Sequence, residues 1–163
     1  MKSSRMSIVI ALLSGWAFAA MAAEPGHIKL QTVGFQEKVT AQKDGSTKTE
    51  IVPVGRVLPG TEVIWNVNYQ IIGKQPVTDA VITDPVPAHM VYVPGSASGE
   101  NAEISFSVDG GKTFALPEKL QVQGADGKLH DALPKDYTTV RWVIKGTLKP
   151  GAKGTVTFHA TLQ

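Results

Sequence analysis

The chain has 163 residues, 42% hydrophobic and 18% charged, with no cysteine and 16 basic against 14 acidic side chains. The absence of cysteine excludes disulfide staples, thiolate metal sites and a cysteine nucleophile. The nearly balanced charge argues against nucleic acid, polyphosphate or anionic membrane as partners, since each favours concentrated Lys and Arg.

Residues 1–23 have the pattern of a secretory signal. Lys2 and Arg5 form a positive start, residues 6–20 an apolar run, and Ala20-Met21-Ala22 a small-x-small cleavage site. The apolar run is shorter than the roughly 20 residues that a membrane span needs. Export with cleavage is therefore expected, to the periplasm, the cell surface or the medium. Loss of Lys2 and Arg5 leaves 14 basic against 14 acidic groups, so the mature chain is neutral. No later run is apolar enough to suggest a transmembrane span. A chain of this length buries about two-thirds of its unfolded surface, enough for one domain without staples. Residues 24–163 are expected to form it.

Residues 27–33 alternate apolar and polar side chains with period two, which predicts a strand with one buried face, continuing to about Thr40. Lys43-Asp44-Gly45-Ser46 predicts a hairpin turn, because Asp-Gly adopts the positive φ angles that tight turns need. The partner strand runs through Thr49-Glu50-Ile51-Val52, and Pro53, which has no N–H to donate, predicts a sheet edge or a break. Val57-Leu58-Pro59-Gly60 is a further turn.

From Thr61 the alternation is clearest. Val63, Trp65, Val67, Tyr69 and Ile71 share one face, and Glu62, Asn66, Asn68 and Gln70 the other, with Ile64 as the exception. A helix would scatter these apolar residues around its circumference, whereas a strand collects them. Trp65 is therefore read as core. Gly73-Lys74-Gln75-Pro76 turns into a strand over 77–83, and Asp84-Pro85-Val86-Pro87 makes a stiff corner. Met90-Val91-Tyr92-Val93 resumes extended structure before a loop at 96–99.

Ile104-Ser105-Phe106-Ser107-Val108 alternates again and enters the turn Asp109-Gly110-Gly111-Lys112. Over 117–134 the pattern weakens to a short strand at 120–122, a turn at 125–128 and a long surface loop. Strands return at 137–144, with Trp142 near the middle, and at 155–162 after the Lys149-Pro150-Gly151 turn. Short strands separated by turn residues predict an all-β sandwich or barrel. Parallel pairing would need crossovers of a dozen or more residues, and none is visible, so the sheets are expected to be antiparallel.

Two resemblances follow from these motifs. Pro59-Gly60-Thr61, Trp65-Asn66-Val67-Asn68-Tyr69, the run Val77 through Pro87, Val91 through Gly99, Val140-Arg141-Trp142 and Leu148-Lys149-Pro150-Gly151 together resemble a bacterial conserved-repeat domain of unknown function, family eleven. The resemblance spans residues 60–163 and implies an immunoglobulin-like β-sandwich of cell-surface or secreted proteins, with 24–59 as an N-terminal strand extension. It implies no biochemical activity. Gly73-Lys74-Gln75-Pro76 stands where the family has Asn-Gly. Separately, Ser107-Val108-Asp109-Gly110-Gly111-Lys112-Thr113-Phe114 resembles the Asp-box hairpin of sialidases and other β proteins. A single copy cannot build a propeller, and the physical expectation is a turn in which Asp109 accepts amide hydrogen bonds.

Catalytic chemistry finds little support. A hydroxyl nucleophile would need His27, His89, His130 or His159 as its base, and these four are dispersed with no nucleophile elbow among them. His89, beside the corner, is the first of them to test. No paired His or Cys suits zinc. Asp79 and Asp84, and the acidic loop with Asp126, Asp131 and Asp136, match no EF-hand or nonapeptide calcium pattern, and since calcium needs six to eight converging oxygens, turn and surface roles are favoured for them. Glycoside hydrolysis needs two carboxyls facing across a cleft, which no pattern here places.

The resulting expectation is an exported, non-enzymatic module with no catalytic, cofactor or metal residues. It would bind protein or envelope polysaccharide, or assemble as a structural, polymerising subunit, and less favourably act on carbohydrate. Loops 96–101 and 124–136 are the expected contact regions.

Overall fold

The computed structural model describes residues 28–43 and 45–163. The predicted signal segment, His27 and Asp44 lie outside them. The described residues form the strands β1 (Ile28–Ala41), β2 (Thr47–Pro53), β3 (Glu62–Ile71), β4 (Val77–Pro85), β5 (Met90–Tyr92), β6 (Ser98–Gly99), β7 (Ala102–Ser107), β8 (Gln121–Gln123), β9 (Leu129–Asp131), β10 (Thr139–Leu148) and β11 (Lys153–Leu162). Every pairing between them is antiparallel.

One sheet runs β2-β1-β3-β11-β5, with β6 also on β11; a second runs β4-β10-β7; β8 and β9 form a separate hairpin. The two larger sheets pack face to face, so the protein is an antiparallel β-sandwich. Residues from both meet in one core. Val67, Tyr69, Val156, Phe158, Ala160 and Tyr92 come from the first sheet, and Ala80, Ile82, Phe106, Val140, Trp142 and Ile144 from the second.

Period-two alternation places these side chains inward. On β3, Val63, Val67, Tyr69 and Ile71 are buried, and Trp65 packs half-buried against the core. Outside, Thr155 and Thr157 donate hydroxyl bonds to Asn68 (2.8 Å) and Asn66 (3.0 Å), a polar ladder across β3 and β11. Gly154 sits opposite Tyr69, and a Cβ there would collide with the tyrosine ring.

Local chemistry ends the elements where the sequence says it should. Pro53 closes β2 at the sheet edge. Thr61 N–H donates to the Leu58 carbonyl (3.0 Å) across the Pro59-Gly60 turn, where Gly60 has φ +86°. Met90 N–H donates to the Pro87 carbonyl (3.1 Å) at the stiff corner.

Two segments differ from expectation. In the expected loop 96–99, Ser98–Gly99 pairs with Thr157 and Val156 of β11. Gly99 lies so close to β11 that a Cβ would come within 2.8 Å of Val156, and its small size is what hides the strand from a hydrophobicity pattern. Within 117–134 the expected short strand and turn are β8 and the turn after it, but the remainder is not all loop. Strand β9 pairs back onto β8, with a 3-10 turn before the hairpin at Pro117–Lys119 and another after it at Pro134–Asp136. All of β9 is exposed, so it carries no alternation to read. Buried Leu120 and Ala132 pin the hairpin's base to the core, and Ala132 N–H donates to the Leu120 carbonyl (2.8 Å).

Candidate functional site

The sandwich opens on the side where β5 and β7 form its two edges. The Val93-Pro94-Gly95-Ser96 turn follows β5 there, and the 3-10 turn at Pro134–Asp136 packs against β5. Between them lies a cleft of about 270 Å³. Its floor is aromatic. The Phe106 ring stands 4.9 Å from Tyr92 and 4.9 Å from Tyr137, and Tyr92 and Tyr137 are 5.7 Å apart. Pro94, Pro117 and Pro134 form the rim, with Ala97 and Ile104 on the walls.

The cleft is held stiffly. Tyr92 accepts the Ala97 N–H at its hydroxyl (3.2 Å), and Ser96 donates to the Val93 carbonyl (2.6 Å) while accepting the His159 N–H (2.9 Å). Prolines fix φ on the rim, so little chain entropy remains to be lost on contact. The cleft is also uncharged. Burial, then the nearby Tyr92, Asp136 and Glu118, push the Tyr137 hydroxyl above its ordinary range and keep it protonated. An apolar, pre-formed concavity with a few hydroxyls is suited to recognition.

Beside the cleft, Ser107–Phe114 folds as the Asp-box motif predicts. Asp109 accepts the Ser107 hydroxyl (2.6 Å), the Lys112 and Thr113 N–H groups (3.0 Å each) and the Thr113 hydroxyl (2.7 Å). Buried Ser107 accepts the N–H groups of Asp109 (3.2 Å) and Gly111 (2.9 Å). These bonds hold the Asp109 carboxyl far below the usual carboxylate range, the Ser107 hydroxyl foremost. Arg141 lies 4.2 Å over the Phe114 ring and donates through Nε to Ser105 (3.0 Å). The motif is a structural hairpin whose capacity for bonds is spent on its own turn.

Of the polar candidates, the structure brings His130 and Asp126 together. His89 has φ +64° at the corner, and its carbonyl accepts the Gln163 N–H (2.9 Å). His130 pairs with Asp126 (2.9 Å), and His159 with Glu62 (2.6 Å) on the outer face of the first sheet. Asp79 accepts the Gly146 N–H (3.2 Å) at the irregularity in β10, Asp126 the Lys128 N–H (3.1 Å), and Asp136 the Leu133 N–H (2.9 Å). Asp131 sits opposite Gln121 in the β8–β9 hairpin. Among the described residues, no three His, Asp or Glu side chains gather where a metal ion could be held, and no helix is long and apolar enough to cross a membrane.

Asp84 is a carboxylate whose surroundings favour its neutral form. Burial raises its pKa, and the Thr32 hydroxyl, which donates to it from β1 (3.3 Å), offsets part of the rise. A folded pKa above the unfolded one means that the charged form costs stability at neutral pH, and the cost disappears as pH falls through the folded pKa. Asp84→Asn keeps an acceptor for Thr32 without the charge. The variant is expected to melt at or above the wild-type temperature at about pH 7, with the difference shrinking toward about pH 4. Thermal melts across that window check it, and a variant less stable at neutral pH would contradict it.

Of the two expected contact loops, 96–101 contributes only Ala97 to the cleft and 124–136 only Pro134. Tyr92, Phe106 and Tyr137 come from segments whose alternation says core, and they are buried, so they line the cleft from within. The three rim prolines, each near a strand end, are the signal that could have marked the place. The chain matches no family model, no curated protein and no solved structure.

Proposed function

We propose that this protein is an exported, non-enzymatic β-sandwich module that binds a partner at the cell envelope, in the periplasm or at the surface, through the Tyr92–Phe106–Tyr137 cleft. The observation that carries the reading is the cleft itself: stiff, uncharged and lined by aromatic rings and prolines. Such a surface suits an apolar segment of another protein, whose burial supplies the driving force and whose fit to the rings supplies selectivity. The signal pattern of residues 1–23 supports the location. The resemblance to conserved-repeat surface modules supports the same class. Its segments fold as β3, β4 with the corner after it, β10 and the turn before β11.

The test is photo-crosslinking in cells from position 94 on the cleft rim, with position 81, exposed on β4, as control. A defined adduct is expected from 94 and not from 81. Pro94→Arg, a change at an exposed rim position, is expected to weaken capture by about tenfold or more by placing an unpaired charge at an apolar contact. Equal adducts from both positions would sink the proposal, as would a defined turnover by the purified protein that a single polar substitution abolishes.

A further inference from the structure

Strand β1 is longer than the sandwich. Its first half, Ile28 to Phe35, pairs with β3, and among the described residues its second half, Phe35 to Ala41, pairs only with β2. The β1–β2 hairpin therefore leaves the sandwich as an arm. Nearly every side chain on β2 is exposed, and Ile51 is 55% and Val39 61% accessible.

The arm's hydrogen bonds show which groups of β2 face outward. Val54 N–H donates to the Gly34 carbonyl (2.9 Å) and Gln42 N–H to the Ser46 carbonyl (2.8 Å), so the even-numbered residues of β2 bond to β1. In an antiparallel ladder the intervening residues turn their N–H and C=O the other way. Thr47, Thr49 and Ile51 thus offer donors and acceptors on an edge that no described strand covers, and Pro53 ends the row. Such an edge is a template for another strand.

We propose that the strand it takes is β2 of a second copy, antiparallel about a twofold axis at Thr49. In that register Thr49 faces Thr49, and Thr47 faces Ile51, each pairing exchanging both backbone bonds. On one face Lys48 then lies opposite the partner's Glu50, and Glu50 opposite the partner's Lys48. Within one copy these two side chains already lie on the same face and form an ion pair (2.7 Å). On the opposite face, Val39 and Ile51 border the paired threonines.

The register is selected by charge. Moving the axis by one residue sets Lys48 against Lys48 or Glu50 against Glu50, and like charges directly opposite are destabilising. A half-step register would pair outward-facing residues with inward-facing ones and break the ladder. The interface is isologous and closes as a dimer, joining two sandwiches through one continuous sheet. Strand β4 also lies at a sheet edge, but Asp79, at φ +50° in its middle, interrupts its regular backbone.

The test is sedimentation equilibrium of the purified exported protein over a wide concentration range. A reversible dimer of upper-micromolar affinity is expected. Lys48→Glu and Glu50→Lys are each expected to weaken it by about tenfold or more, since each replaces attractive cross-strand pairs by repulsive ones. An equimolar mixture of the two variants is expected to recover dimers, because the charges are again complementary. Thr49→Pro, which removes the central outward donor, is expected to leave a folded monomer by circular dichroism. A protein that stays monomeric throughout, or a dimer unmoved by all three variants, or a mixture that does not recover, would overturn the proposal. None of these outcomes bears on the cleft, which the crosslinking from position 94 tests separately.

Discussion

Replacing Trp142 with alanine is expected to cost about 3–5 kcal/mol, a large part of the roughly 5–15 kcal/mol that holds a domain of this size together. Trp142 is fully buried at the centre of the second sheet. It lies between Ile82 of β4 and Ile104 of β7, with the Phe158 ring of the opposite sheet 6.1 Å away. Among the described residues it is the largest fully buried side chain, and it bridges the two layers. Alanine would leave a cavity that neither sheet can close, since the backbone ladders on both sides of β10 hold their spacing.

The indole N–H of Trp142 is buried and finds no acceptor among the described residues. Trp142→Phe removes that unsatisfied donor along with one ring, so its loss is expected to be well under half that of alanine. Urea unfolding of both variants checks the ordering. Equal losses would show that the site depends on the full indole and not on filled volume.

The second large effect is expected in the Asp-box hairpin. Ser107→Ala removes the acceptor for two backbone N–H groups and the donor to Asp109, at a fully buried position. Leaving such groups unpaired is expected to cost about 1–3 kcal/mol. Asp109→Asn tests the same turn through pH. Its folded pKa lies below the unfolded value near 3.9. Its contribution is therefore present above that pH and is lost as pH falls toward the folded pKa.

Wild type is expected to lose stability from about pH 4 downward more steeply than the Asn variant, so the gap between them narrows in acid. Denaturant unfolding at neutral pH and near pH 3 decides it. Parallel curves would show that the Asp109 charge does not support the turn. Because the hairpin borders the cleft through Phe106, which pairs with Ala115 at its end, weakening it is also expected to loosen one cleft wall.

By itself the sequence determined an all-β, antiparallel fold, sandwich or barrel, and the packing of two sheets decided for the sandwich. Alternation at period two can face only one way in a pleated strand, so the inward set on β3, the edge at Pro53 and the Asp109 turn were all legible in residue order. Where side chains carried no alternation the pattern was silent. Gly99 has nothing to alternate, and β9 is exposed throughout, so the strands β6 and β9 emerged only in three dimensions.

The cleft and the arm were decided by tertiary structure alone. Tyr92, Phe106 and Tyr137 satisfy a core pattern and are buried, and only the packing shows that a proline-rimmed cleft reaches them between two sheet edges. Likewise Lys48 and Glu50 are ordinary surface charges until the pairing of β1 shows that β2 has a free edge and which of its residues face it. Periodicity reports which face of a strand is apolar. Only packing reports what lies beyond its edge.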